Sequence, residues 1–217
     1  MVAANPETVL VLVSSYPYAI DWAAEHVPAI LWTSHAGQEL GNGVAAVLSG
    51  RHNPSGRLPQ TWYAADTELP AREDYDVIGS RWTYRYSRRE HTYPFGHGLS
   101  YTAFEYGDPV ATVLKQELGA LTLTVSLSVA NIGGADGHEV VQLYVRRGME
   151  ELPILVGFER VFLAAGETKA VAFEVQREQI ERWSEADGRY FLPEGEYEFE
   201  VGRSSADLPV STRVELS

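Results

Sequence analysis

The hydrophobic rhythm of the chain changes twice. Val9-Leu10-Val11-Leu12-Val13 is an unbroken aliphatic run. Such a run predicts a strand buried on both faces, as in parallel sheets. Residues 19–26 suit a short helix, and Ala29-Ile30-Leu31-Trp32 a second apolar strand after Pro28. Residues 38–48 predict a helix that stops at Gly50, since glycine readily adopts the left-handed turn that ends a helix. Leu58 to Trp62 predicts a third strand. Strands alternating with helices over residues 1–62 imply βα units with mostly parallel strands.

Residues 63–108 follow neither period. They carry Tyr75, Trp82, Tyr84, Tyr86, Tyr93, Phe95, Tyr101, Phe104 and Tyr106 among many charges. A structureless loop of this length is uncommon in a compact domain, and so many aromatics argue against disorder. We read it as an extended aromatic-rich linker segment that anchors through its rings.

From residue 109 the period becomes two. Leu121, Leu123, Val125, Leu127 and Val129 alternate with Thr122, Thr124, Ser126 and Ser128, the pattern of a half-buried strand. Turn residues Asn131, Gly133, Gly134, Asp136 and Gly137 follow. Further strands are predicted over residues 139–147, 155–163, 168–175, 189–192, 196–201 and 210–216. Evenly spaced short strands with turn signals predict an antiparallel β-sandwich. Pro193-Glu-Gly-Glu-Tyr197 reads as a sandwich corner, with the Tyr197 hydroxyl bonded to nearby backbone.

Composition narrows the class. The 217 residues hold 17 Lys and Arg against 30 Asp and Glu, a net charge of -13, and no Cys. Disulfides, thiolate nucleophiles and Cys-ligated zinc are excluded. A chain this acidic is a poor partner for nucleic acid or an anionic membrane surface. Residues 109–217 hold 10 basic and 18 acidic residues, -8 of the total, with Glu196, Glu198 and Glu200 at outward strand positions. No run approaches the roughly 20 apolar residues of a membrane span. No basic n-region or cleavage-like site marks a signal peptide, and nothing indicates a compartment. The chain opens almost directly with a strand, which suggests a piece of something longer.

Candidate chemistry is sparse. Glu39 lies among glycines at a strand-to-helix turn; it is either an acid for catalysis or a first-turn carboxylate complementing the helix dipole, the reading we prefer. Gly37-Gln-Glu-Leu-Gly41-Asn-Gly43 resembles an anion-binding loop, but the G-x-G-x-x-G spacing is not met. We prefer to read these glycines as allowing close approach of helix to sheet. His26, His35, His52, His91, His97 and His138 have no paired ligand spacing, so we assign no metal and no cofactor. Ser34-His35 does not make a triad, and Arg88-Arg89 is too small a patch for nucleic acid. The loops 53–59 and 93–101, rich in proline, glycine and aromatics, either line a carbohydrate site or clamp domains, and clamping is preferred.

Together these stretches resemble the C-terminal portion of glycoside hydrolase family 3 enzymes, the β-glucosidase and β-xylosidase group. The matching motifs run in order over nearly the whole chain: residues 8–13, 37–50, Asn53-Pro-Ser-Gly-Arg-Leu-Pro-Gln-Thr61, Tyr84-Arg-Tyr86, Tyr93-Pro-Phe-Gly-His-Gly-Leu-Ser-Tyr-Thr-Ala-Phe104, Val129-Ala-Asn-Ile-Gly133, Gly137-His-Glu-Val-Val-Gln-Leu-Tyr-Val145 and Leu155-Val-Gly-Phe158. The resemblance implies residues 1–62 as the end of an α/β sandwich domain and 109–217 as a fibronectin type III-like β-sandwich, with 63–108 between them. It also implies a catalytic (β/α)₈ barrel as partner, in the same chain or another. Family members place the nucleophilic Asp on the barrel and the acid/base Glu upstream of this first strand. No catalytic residue is therefore assigned here. The expected role is scaffolding in a retaining exo-acting β-glycosidase that cleaves a β-linked saccharide. The alternative is a free-standing carbohydrate-binding or protein-interaction module. The exposed sheet edge at 8–14 is expected to pair with another copy, reorganise or be partly mobile.

Overall fold

The computed structural model describes residues 1–117, 120–148 and 152–216. They form two compact units, Met1–His52 with Leu58–Phe95, and Asn53–Arg57 with the chain from Gly96 onward. Sheet predominates, and helices are few and short.

In the first unit, β1 (Val9–Val13) pairs in parallel with β2 (Ala29–Thr33), Val9 opposite Ala29 and Val13 opposite Thr33. The helix α1 (Asp21–His26) connects them. A 3₁₀ turn at Gly37–Glu39 leads into α2 (Leu40–Leu48). Gly50 closes that helix with φ +75°, its N–H donating to the Val47 carbonyl at 2.9 Å. No residue of α1 or α2 is buried, and the aliphatic run of β1 is only partly covered. The core of this unit is instead aromatic. Trp62 is buried, with its ring edge-on to Trp32 at 6.0 Å and to Tyr93 at 6.2 Å. Leu58 to Trp62 does not form the predicted strand. Pro59 cannot donate to a ladder, and the segment keeps a single antiparallel bridge, Trp62 to Tyr93.

The second unit is a β-sandwich of two four-stranded sheets. One is ordered β12 (Val210–Leu216), β11 (Gly195–Gly202), β6 (Gly137–Arg147), β7 (Ile154–Leu163). In the other, β5 (Ala120–Asn131) is central; β3 (Phe104–Tyr106), β4 (Val110–Glu117) and β8 (Thr168–Gln176) all pair with it antiparallel. The alternation read in β5 is what the packing uses. Leu121, Leu123, Val125, Leu127 and Val129 enter the core opposite Val141, Leu143, Val145, Tyr197, Phe199 and Val201. Burying apolar faces from both sheets is the main source of stability for such a fold. The Tyr197 hydroxyl donates to the Pro193 carbonyl at 2.7 Å, as the corner motif predicts. A small ribbon, β9 (Arg182–Ser184) paired with β10 (Arg189–Phe191), completes the unit.

Glu200 departs from the outward-charge reading. It is 9% exposed and receives two bonds from Arg146, at 2.6 and 2.7 Å. A carboxylate leaving water needs such a bidentate partner. Among the described residues no helix is long and apolar enough to cross a membrane.

Candidate functional site

The segment Asn53–Arg57 belongs to the sandwich unit, and three of its side chains tie it there. Asn53 Nδ2 donates to the Asp136 carbonyl at 3.0 Å, while its Oδ1 accepts from Ser100 Oγ at 2.9 Å and the Tyr101 N–H at 2.8 Å. One amide thus joins this strap to the second loop and to the turn before β6. Ser55 is buried and accepts from Arg160 Nη2 at 3.1 Å. Arg57 Nη2 donates to Glu139 Oε2 at 2.9 Å, with side-chain exposures of 8% and 1%.

Glu139 is the centre of this cluster. It sits on β6 at the inward parity of Val141, Leu143 and Val145. Its other oxygen accepts from Tyr106 Oη at 2.7 Å. Burial, then the Glu139 charge and the bond to it, push the Tyr106 phenol far above its ordinary range. Tyr106 therefore stays a donor at every working pH. The Arg203 guanidinium lies over the Tyr106 ring at 5.7 Å and pairs with Asp207 at 3.0 Å.

The second loop enters the same cluster. Gly96 has φ +83°, and a Cβ there would fall 2.1 Å from Gln142 Oε1. Gln142 Nε2 donates to the Gly96 carbonyl at 3.1 Å and to the Arg203 carbonyl at 2.5 Å. At Gly98 a Cβ would meet the Gly56 carbonyl at 2.3 Å. The two glycine-rich loops therefore meet backbone to backbone, an approach that a side chain would block.

His97 completes this group. Burial, then the Arg57 guanidinium, lower its pKa below the ordinary 6.5, with Asp207 pulling the other way. A histidine held neutral when folded takes up a proton more readily when unfolded. Stability is then full above the unfolded-state value and falls as pH drops through it. His91 in the first unit, lowered mainly by burial, acts with the same sign. Urea midpoints are expected to fall between about pH 7 and pH 5, and less steeply in His97→Gln. An equal slope in the variant would exclude His97 as a source.

Chemically, this arrangement is an anchor. Glu139 is sealed from solvent by a guanidinium and a phenol, so it has no access to a substrate. Glycoside cleavage uses two carboxylates facing one bound sugar, roughly 5–10 Å apart, and no such pair is assembled in this cluster.

The other candidates lie apart. Glu39 is exposed and accepts from Asn42 Nδ2 at 2.6 Å, a local bond at the helix start. Gly41 and Gly43 have nothing within 4 Å of a built Cβ, so close helix–sheet approach does not explain them among the described residues. Ser34, His35 and His52 are exposed. His26 stacks on Trp22 at 4.7 Å, and His138 meets Phe162 edge-on at 5.2 Å. Arg89 is exposed and donates to the Glu68 carbonyl at 3.2 Å. No group of three or more His, Cys, Asp or Glu able to hold a metal occurs among the described residues.

In the first unit, residues 63–95 fold around rings. Tyr63 lies 5.4 Å from Trp82 and 5.0 Å from His91, and Tyr84 stacks on Phe95 at 4.3 Å. Arg81 and Thr83 flank Trp82 at φ +54° and +67°, conformations that side chains adopt at a cost. The Thr83 N–H donates to Tyr63 Oη at 2.9 Å and holds that turn.

Sequence reasoning missed Glu139 and Tyr106. The available signal was parity: an acid at an inward position of an otherwise aliphatic face.

Residues 1–101 match the glycosyl hydrolase family 3 C-terminal domain, and residues 139–205 a fibronectin type III-like domain. The chain is 38% identical to a xylan 1,4-beta-xylosidase of Xylanibacter ruminicola, over 94% of its own length and 24% of the relative's. It is 32% identical to beta-glucosidase B of Emericella nidulans, over 99% of its length and 28% of the relative's. The crystal structure of a beta-glucosidase from Kluyveromyces marxianus in complex with glucose superposes with a TM-score of 0.86 at 31% identity, covering 100% of this chain and 27% of that one. The chain spans about a quarter of the length of each of these relatives.

Proposed function

The chain carries the C-terminal portion characteristic of glycoside hydrolase family 3, followed by a fibronectin type III-like domain, and on that premise we propose that it is the non-catalytic C-terminal part of a β-glucosidase or β-xylosidase. The observation that carries this reading is the pair of domains in family order, matched over about a quarter of each relative. The sealed state of Glu139 supports it. The parent is a retaining exo-acting enzyme that hydrolyses β-linked saccharides by double displacement at two carboxylates. Those groups reside on a catalytic barrel and on upstream parts of an α/β sandwich domain.

In this reading residues 1–62 supply the last βα units of that sandwich domain, and 63–108 link them to the domain over 109–217. When the catalytic part is missing, the open edge of β1 pairs with a second copy, reorganises or becomes partly mobile.

The test is an assay of the chain alone on aryl β-glucosides and aryl β-xylosides. No turnover above buffer is expected. Turnover at the rate of a full-length relative would overturn the assignment, because the reacting carboxylates would then lie within these residues.

A further inference from the structure

The β9–β10 ribbon presents an aromatic pair that no other described residue covers fully. Trp183 and Tyr190 are directly opposite each other across the ribbon, so both point to one face. Their rings lie 5.2 Å apart at 67°. Trp183 is 49% and Tyr190 64% exposed. The turn that positions them is well fixed: Gly188 takes φ +60° and donates to the Ser184 carbonyl at 2.9 Å, while Ser184 Oγ donates to Asp187 Oδ2 at 2.8 Å. The contact between the two rings steadies the ribbon, but about half of the Trp183 surface and more of the Tyr190 surface stays in water, which burial alone does not explain.

We propose that Trp183 and Tyr190 form a stacking platform for a neutral β-linked glycan chain. The size of the patch selects this occupant. Two half-exposed rings offer on the order of 200 Å², against about 800 Å² per partner in a standard protein interface. A patch that small suits one or two sugar rings. Sugar rings present C–H faces to aromatic planes, and the angle between the two rings forms a step that a stacked residue fits against. The exposed Glu185 and Asp187 at the turn supply acceptors for sugar hydroxyls. The -8 charge of residues 109–217 selects against an anionic polymer. The choice of a β-linked glycan rests on the reading of the parent as a β-glycosidase. The platform then keeps the enzyme on the polymer from which its substrates derive.

The experiment titrates the full chain with xylohexaose and with cellohexaose, following the Trp183 indole N–H by NMR. Saturable shifts at Trp183 are expected with at least one of the two. Trp183→Ala and Tyr190→Ala should each weaken binding at least tenfold with only a small fall in the thermal midpoint from the lost cross-strand contact, and Trp183→Phe should recover part of the binding. Absence of binding to both oligosaccharides overturns the proposal, as does full binding in both alanine variants. Concentration-dependent broadening at Trp183 without sugar, lost in Trp183→Ala, would show a protein contact and also overturn it. An active chain in the aryl-glycoside assay would sink the scaffold reading and leave this result untouched.

Discussion

Glu139→Ala is expected to destabilise the sandwich unit by about 3–5 kcal/mol, the cost of leaving one member of a buried ion pair without its partner. The Arg57–Glu139 contact is almost sealed, with side-chain exposures of 8% and 1%. Arg57 Nε already lacks a partner, so Arg57 has little to fall back on when the carboxylate goes. Tyr106 loses its acceptor in the same variant, which adds an unsatisfied hydroxyl. Arg57→Met combined with Glu139→Leu removes both charges together, and its cost should fall well below the sum of the single changes. Equilibrium urea denaturation, with the slope unchanged, measures all three. A loss under 1 kcal/mol in Glu139→Ala would show that solvent reaches the pair and that the strap is not anchored as described.

This cluster also marks where sequence reasoning stops. The sandwich strands were legible because every inward position repeats at period two; Leu121 to Val129 and Tyr197 to Val201 needed no further information. The corner at Tyr197 was legible because its bond is local. The strands β3, β4 and β9 were not: three residues are too few to establish a period in β3 and β9, and β4 breaks the alternation by carrying Val110 and Leu114 outward. Leu58 to Trp62 misled because apolar content mimics a strand where a single bridge and an aromatic cluster are what form. The Arg57–Glu139 bond spans 82 positions, and no pattern along the chain announces a partner that distant. The only trace of it along the chain is parity, an acid at an inward position of an otherwise aliphatic face. Gly96 and Gly98 were legible as permissive residues, but what approaches them became clear only from the fold.

The first unit is expected to exchange its amides far faster than the second. In β1 and β2 every strand residue is exposed or only partly covered, and neither helix buries a side chain. A two-stranded sheet whose faces are only partly covered is marginal in water. In β5, β6 and β11 the inward residues are almost fully buried, so their amides open only when the whole unit unfolds. Hydrogen exchange should therefore place Val11 and Leu31 on the order of 10³-fold faster than Leu123 and Leu143, a gap of about 4 kcal/mol in opening free energy. Trp62 and Tyr93, joined by their bridge, should fall between. The open edge of β1 gives the measurement a second axis. Its open backbone edge is a template for another strand, and the proposed self-pairing is expected to show as protection of Val9 to Val13 that rises with protein concentration while Leu123 stays unchanged. A monomer whose β1 and β2 amides exchange as slowly as those of β5, at every concentration, would mean that burial in this unit does not set its stability.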